Sequence, residues 1–148
     1  MTAAFSWPVR VYWEDTDAGG IVYYANYLKF MERARSEWLR SVGFEQTPLK
    51  EEHGIMFVVV EVEARYRKPA RYGELLRVTC RVDSSTRASL TFSQEVFRQQ
   101  REGAREAEEA EELLVQSTVR VATLDAVTFR PCALPPFLLE RLHESIGG

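Results

Sequence analysis

The alternation of apolar and polar residues predicts five β-strands. Residues 7–13 form the first, with Val9, Val11 and Trp13 on one side. The other four strands are predicted at residues 56–68, 75–83, 89–99 and 113–124. The side chains expected to face the core in these four are Val58, Val60, Val62, Ala64, Tyr66, Leu76, Val78, Cys80, Val82, Leu90, Phe92, Val96, Val115, Val119 and Val121. Hairpins are expected between consecutive members of these four strands. The charged segment 101–112 is interpreted as a solvated hairpin loop or short helix.

A period near 3.6 residues predicts one long amphipathic helix over residues 28–44, with Asn26 as its N-cap and Gly43 at its end. Its apolar sector contains Tyr27, Met31, Ala34, Trp38 and Val42, with Leu28 and Leu39 on the flank. Arg35 falls inside this sector, and we interpret it as a guanidinium that reaches the rim or pairs with Glu32. A functional Arg35 is the alternative. A polar connection at residues 46–54 with one short helical turn and a closing helix at 137–146 complete the pattern.

The order of these elements is typical of the α+β class. One strand and one long helix are followed by four consecutive strands, so the helix is expected to cover one face of a five-stranded antiparallel sheet. One helix cannot cover both faces of such a sheet. The other face, or an edge, is therefore expected to meet a second subunit, which predicts at least a dimer. The length of 148 residues predicts a single domain spanning residues 1–148.

Composition narrows the function classes further. The formal net charge of −3 gives no reason to expect a nucleic-acid surface. Cys80 and Cys132 form no short-spaced pair, so structural zinc and a disulfide framework are not expected. A location in the reducing cytoplasm is expected instead. Residues 1–8 lack the layout of a signal peptide, and the longest apolar runs fall short of the ~18 residues that a membrane-spanning helix needs.

The segment between the first strand and the long helix carries the chemistry. It holds two carboxylates, Asp15 and Asp17, followed by Gly19 and Gly20. Polar neighbours alternate with both aspartates, so neither is expected in the core. The glycines let the backbone take a positive φ and approach a ligand, and the following helix start presents free N–H groups. A carboxylate facing such donors suits carbonyl chemistry, in which one group attacks or activates water and the other holds the oxyanion.

Two stretches of this region resemble the hotdog-fold acyl-CoA thioesterases, in the branch of YbgC and 4-hydroxybenzoyl-CoA thioesterase. They are residues 15–27 (Asp-Thr-Asp-Ala-Gly-Gly-Ile-Val-Tyr-Tyr-Ala-Asn-Tyr) and 30–38 (Phe-Met-Glu-Arg-Ala-Arg-Ser-Glu-Trp). Residues 60–76 and the pair Arg130-Pro131 are similar to the same family. The resemblance implies a hotdog fold, a five-stranded antiparallel sheet wrapped around one long central helix. It also implies a homodimer or homotetramer with active sites at the subunit interface.

The resemblance further implies roles for particular residues. Asp17 matches the catalytic aspartate, which attacks the thioester carbonyl or acts as base for water. The backbone N–H near Tyr24 would polarise that carbonyl. Further candidate substrate-binding residues at the turn and helix start are Gly19, Gly20, Val22, Tyr23 and Asn26. YbgC-type members carry histidine where this chain has Tyr24, whereas the benzoyl-CoA branch carries tyrosine, so the subgroup stays open.

An acyl-CoA substrate also needs groups that hold phosphates. By family analogy Arg87, in the hairpin between the third and fourth strands, is the first candidate. Arg65 and Lys68 flank the turn at Pro69 and are the next. An acyl carrier protein is a possible second partner, and no metal or redox cofactor is expected.

Three other interpretations are considered. A glutamate of the helix, Glu32 or Glu37, is the alternative acid for the same reaction. A non-catalytic acyl-CoA or acyl-carrier-protein binding module, or an envelope-complex accessory protein, would bind without turnover. Dehydration of a hydroxyacyl thioester would need a catalytic histidine, and neither His53 nor His143 stands in a hydratase-type motif.

Overall fold

The computed structural model describes residues 5–99 and 111–147, and it contains five strands and three α-helices in those ranges. The strands are β1 (Phe5–Arg10), β2 (Ile55–Tyr66), β3 (Leu75–Thr86), β4 (Ser89–Arg98) and β5 (Glu112–Asp125). The helices are α1 (Asn26–Ser41), α2 (Gln46–His53) and α3 (Pro136–Gly147), and a short 3₁₀ turn spans Trp13–Asp15. The predicted α+β hotdog architecture is confirmed.

The sheet is antiparallel, with the strand order β1-β3-β4-β5-β2. β2 therefore pairs with β5 at one edge, and the predicted hairpin between β2 and β3 is wrong. The chain after β2 instead bonds to the segment that follows β1: Val22 N–H donates to Ala70 O at 2.9 Å, and Arg71 forms a bridge with Ile21. These bonds carry the chain across to β1, so β3 starts beside β1 instead of β2.

The core lies between α1 and the concave face of the sheet. The buried residues of α1 are Tyr27, Phe30, Met31, Ala34, Trp38 and Leu39, which confirms the predicted sector and adds Phe30 to it. Leu28 is exposed. Every predicted core residue of β3, β4 and β5 is buried. Each large apolar side chain buried in this way contributes about 1.5–3 kcal/mol to folding.

Three local predictions need correction. β1 ends at Arg10, and Trp13 sits in the 3₁₀ turn with its side chain 75% exposed, so it does not face the core. Residues 46–53 form a full two-turn helix that ends at Gly54 with φ of 67°, where one short turn was expected. The predicted loop at 101–112 falls mostly outside the described residues, and Glu112 opens β5. Gly43 has φ of 101° directly after the C-cap of α1, as predicted for the helix end.

The third correction concerns β2, which is an edge strand with exposed apolar side chains. Val60 and Val62, expected to face inward, are 49% and 39% exposed, and Val59 is 43% exposed. The pairing register with β5 shifts between Val59 and Glu61, so Val60 lies in a bulge. Edge strands with apolar surface are templates for pairing with another chain. β2 is therefore the part of the described surface that most needs a partner.

The two cysteines are expected to differ sharply in reactivity. Burial raises the pKa of the Cys80 thiol to about 12, whereas Cys132 is only partly buried. Because the thiolate is the reactive form, we expect Ellman's reagent at pH 8 to titrate Cys132 in the native protein and Cys80 only after unfolding. Cys132→Ser should abolish the native signal and Cys80→Ala should preserve it. Rapid native labelling of both thiols would contradict the buried position of Cys80.

Candidate active site

The Asp17 turn is closed by backbone hydrogen bonds. Asp17 N–H donates to Ile21 O at 2.9 Å, and Gly20 N–H donates to Asp17 O at 3.0 Å. Gly20 has φ of 77°, a conformation that strains any residue with a side chain. A Cβ on Gly19 would lie 3.2 Å from Asp17 Oδ1, the atom that accepts the Gly19 N–H at 2.8 Å. The turn therefore fixes one carboxylate oxygen of an exposed aspartate.

A second segment fastens this turn to the body of the protein. Besides the Val22–Ala70 bond, Ala70 N–H donates to the Tyr27 hydroxyl at 3.0 Å. Ala70 is fully buried and Tyr27 is 3% exposed. The turn that follows β2 thus holds both the Asp17 turn and the first residues of α1, and we call this set of bonds the clip.

The start of α1, which follows the turn in the chain, has backbone donors without a protein acceptor among the described residues. The N-cap residue is Ala25, one residue before the predicted Asn26, and no side chain caps the helix. Asn26 instead donates its Nδ2 to Asp15 O at 2.9 Å, so the prediction of Asn26 as N-cap is wrong. Within the described residues, the N–H groups of Tyr24 and Ala25 donate to no protein acceptor. They remain available to a ligand, at the end of a helix that favours negative charge.

Asp15 is a structural residue. Its side chain is 9% exposed, which corrects the expectation that it lies outside the core. Its Oδ2 accepts the Tyr12 N–H at 2.8 Å, and its backbone oxygen accepts the Tyr23 N–H at 3.0 Å. The carboxylate is tolerated inside because it satisfies a backbone donor three residues earlier. Asp15 thus caps the 3₁₀ turn.

A row of aromatic rings runs from the helix start to the core, and sequence reasoning missed its central member, Tyr66. The centroid of the Tyr66 ring lies 6.1 Å from that of Tyr24 and 5.7 Å from that of Tyr27. Tyr23 stands 5.0 Å from Tyr24 at one end, and Phe30 stands 6.0 Å from Tyr27 at the other. We call these five rings the aromatic ladder. Burial raises the pKa of the Tyr66 phenol, and the neighbouring Tyr24 raises it further. The period-2 pattern of β2 placed Tyr66 inward, and that prediction is wrong, because Tyr66 is 45% exposed at the end of the edge strand.

The basic residues predicted to hold phosphates are spread over the chain. Lys68 Nζ pairs with Glu112 Oε1 at 2.7 Å close to the clip, and Arg65 is exposed on β2 opposite Gln116. Arg87 is exposed just beyond the far end of β3, a 12-residue strand, which places it roughly 35 Å from the Asp17 turn. A contact between Arg87 and a ligand at this turn therefore requires a second protomer.

His53 is also remote from the turn within one chain. It ends α2, directly before the start of β2, whereas Tyr66 and the ladder lie at the other end of that strand. Its ring packs 4.6 Å from that of Phe137, between centroids. His53 is thus an exposed residue at the end of α2, and its ring contacts Phe137.

Arg35 and the two helix glutamates have partners away from the turn. Arg35 Nη1 donates to Gln94 Oε1 at 2.9 Å, which corrects the predicted pairing with Glu32. Burial lowers the pKa of Arg35, and the fully buried Gln94 supplies the acceptor that its guanidinium needs. Glu32 accepts a hydrogen bond from Ser36 Oγ at 3.0 Å, and Glu37 pairs with Arg40.

The Asp17 turn is open to solvent in a single chain. A cavity of about 310 Å³ lies beside the clip, and a cavity of about 540 Å³ lies between the end of α1 and α2. Neither cavity is lined by Asp17 or Tyr24. Across residues 5–99 and 111–147, no three His, Cys, Asp or Glu side chains are grouped as metal ligands would be. No helix within those same ranges has the length and apolar character needed to cross a bilayer.

Comparison with known proteins places this geometry in context. The profile of the thioesterase superfamily matches residues 19–104. The chain is 40% identical to the acyl-CoA thioesterase YbgC of Haemophilus influenzae over 140 residues, which cover 95% of each chain. A crystal structure of a probable thioesterase from Bartonella henselae superimposes with a TM-score of 0.78 at 33% identity, over 90% of this chain and 100% of that one. The 4-hydroxybenzoyl-CoA thioesterase of Pseudomonas sp. strain CBS-3 shares the fold, with a TM-score of 0.83 at 19% identity over 95% and 99% of the chains.

Proposed function

The chain belongs to the thioesterase superfamily, and on that premise we propose that it hydrolyses acyl-CoA thioesters at the Asp17 turn, releasing free CoA and a carboxylic acid. The observation that supports this site assignment is the geometry of the Asp17 turn and the helix start that follows it. An exposed carboxylate is held by Gly19 N–H, and the free N–H groups of Tyr24 and Ala25 stand at the adjoining helix start. This pairs a base or nucleophile with an oxyanion donor.

The reaction follows from these two groups. The thioester carbonyl oxygen accepts the Tyr24 N–H, which stabilises the negative charge that develops as the carbonyl is attacked. In one route Asp17 takes a proton from water, the hydroxide adds to the carbonyl carbon, and the C–S bond breaks to release the CoA thiolate. In the other, an Asp17 oxygen attacks, the thiolate leaves, and water hydrolyses the resulting anhydride. Neither route requires a metal or a redox cofactor.

A second protomer is part of this proposal. The Asp17 turn is open to solvent, neither of the two cavities described above is lined by Asp17, and the edge strand β2 exposes Val59, Val60 and Val62. Pairing across this edge would exclude water from the site and strengthen its electrostatic interactions. We propose a homodimer, or a homotetramer of such dimers, acting in the cytoplasm on acyl-CoA or on an acyl group borne by an acyl carrier protein.

The test is a panel of short, long and aromatic acyl-CoA thioesters incubated with the purified protein, with release of free thiol as the measurement. We expect turnover with at least one acyl class. We expect none with the matching thioether analogue, which lacks the thioester carbonyl. Tight acyl-CoA binding without thiol release would instead support the non-catalytic binding module. Acyl-carrier-protein thioesters in the same assay separate the two candidate substrates.

Arg87 is proposed to bind CoA phosphate from a second protomer. We expect Arg87→Ala to raise KM by roughly tenfold with kcat unchanged, because a charge-assisted phosphate contact made equally in ground and transition states contributes only to binding. The matched control is Arg81→Ala, an exposed arginine of β3 whose guanidinium pairs with Asp83. An unchanged KM in the Arg87 variant would remove it from the site.

A further inference from the structure

The ring of Tyr66, the last residue of β2, packs against the ring of Tyr24, whose backbone N–H is the proposed oxyanion donor. It packs against Tyr24 at 88° between ring planes and against Tyr27 at 50°. The edge-to-face arrangement is a favoured geometry for aromatic pairs, beyond the apolar area it buries. Tyr66 is itself anchored by its register with Val115, a fully buried residue of β5. Tyr66 is 45% exposed, and its ring extends from the sheet edge toward the rings at the start of α1.

The peptide unit that carries the Tyr24 N–H is held on its carbonyl side by backbone hydrogen bonds. The Tyr23 N–H is bonded to Asp15 O, and the Asn26 N–H closes a turn onto Tyr23 O at 2.8 Å. Among the described residues, Tyr24 itself donates no backbone hydrogen bond. Tyr24 is 61% exposed, and among the described residues its ring pairs with two other rings, those of Tyr23 and Tyr66. Of these two, Tyr23 belongs to the same turn, so Tyr66 supplies the contact with a separate element.

The base of this contact is fixed. Tyr27 is buried, its hydroxyl accepts the Ala70 N–H, and its ring stands edge-to-face against the fully buried Phe30. Tyr66 therefore leans on a side chain that cannot yield without disturbing the core. A displacement of about 1 Å at a reacting group is enough to reduce the rate of an enzyme strongly.

We propose that Tyr66 is a positioning residue, whose ring holds the Tyr24 ring and thereby aims the Tyr24 backbone N–H at the position of the oxyanion. The inference rests on the proposed function and adds a residue to it that neither contacts the reacting atoms nor belongs to the Asp17 turn. It follows that the ring, and not the phenolic hydroxyl, carries the role.

The test compares three variants with the wild type in steady-state thioester hydrolysis. We expect Tyr66→Phe to retain kcat, and we expect Tyr66→Leu and Tyr66→Ala to lower kcat by roughly tenfold, the loss of an interaction made only in the transition state. Affinity for a non-hydrolysable acyl-CoA thioether should change by less than about twofold, since ground-state binding is not what the ring supports. Tyr66→Leu keeps apolar bulk and guards against simple unfolding. Light scattering confirms that each variant keeps the oligomeric state of the wild type.

The outcomes distinguish failure of the Tyr66 role from failure of the proposed hydrolase function. Full kcat in Tyr66→Leu and Tyr66→Ala would overturn the positioning role while leaving Asp17 hydrolysis intact. Loss in Tyr66→Phe equal to that in Tyr66→Leu would assign the effect to the hydroxyl, and loss of thioether affinity would assign it to substrate binding; either overturns the proposal. Absence of thiol release from the wild type would instead overturn the proposed function itself.

Discussion

Asp17→Asn is expected to lower kcat by about 10²–10⁴-fold, the range that a positioned base contributes. The amide has the size of the carboxylate and its oxygen still accepts the Gly19 N–H, so the turn is kept. What it loses is the ability to take a proton from water or to attack a carbonyl. The measurement is thiol release at saturating substrate, with thermal unfolding to show that the variant is folded.

Two further variants make this result specific. Glu32→Gln alters a carboxylate that bonds to Ser36 and should leave kcat within about twofold of wild type, since it removes no group from the proposed site. Activity that survives Asp17→Asn and disappears with Glu32→Gln would transfer the reaction to α1. Label found in Asp17 after single-turnover hydrolysis in ¹⁸O-labelled water would establish the nucleophilic route, because it enters Asp17 only when water opens the anhydride at the Asp17 carbonyl.

Val60→Lys is expected to convert the protein to a monomer and to remove most of its activity. Val60 is 49% exposed in the bulge of the edge strand, where a partner strand would meet it. Burying an unpaired ammonium at an interface costs several kcal/mol, which exceeds what a single valine contact contributes. Light scattering measures the oligomeric state. Thiol release measures the activity that remains when the site is open to solvent.

The matched control is Val127→Lys. Val127 is 87% exposed in the turn after β5, so the same change of chemistry is made away from β2. It should leave both the mass in solution and the activity unchanged. A monomeric Val60→Lys protein with full activity would show that one chain suffices for catalysis, and an unchanged oligomer would place the interface elsewhere.

The elements with a buried face were predictable from the sequence, because burial on one side imposes a period. α1, β3, β4 and β5 follow their predicted patterns, and Arg35, the exception inside the apolar sector, is satisfied by Gln94 from β4. β2 misled for the same reason. Its alternating valines read as a core face, but the face they form is exposed at the sheet edge.

The site was predictable where local chemistry determines geometry and obscure where distant segments do. The turn at Asp17, Gly19 and Gly20 could be predicted because glycines at that spacing favour a tight turn, whereas the role of Asp17 was implied by the family resemblance and stays a prediction. The burial of Asp15 depends on the Tyr12 N–H, and the role inferred for Tyr66 depends on the pairing of β2 with β5. No period or motif within either segment encodes such pairings. They become visible only when the strand order is known.

The clip has a consequence for how the protein matures. Tyr27 and Ala70, which it joins, stand 43 positions apart in the chain. Contacts of such long sequence separation must overcome a large loss of chain entropy before they form, so they are made late compared with helical turns. A refolding polypeptide should accordingly regain the far-ultraviolet ellipticity of its helices first and its turnover afterwards. Newly synthesised chains would stay catalytically silent until the strand that follows α2 has docked.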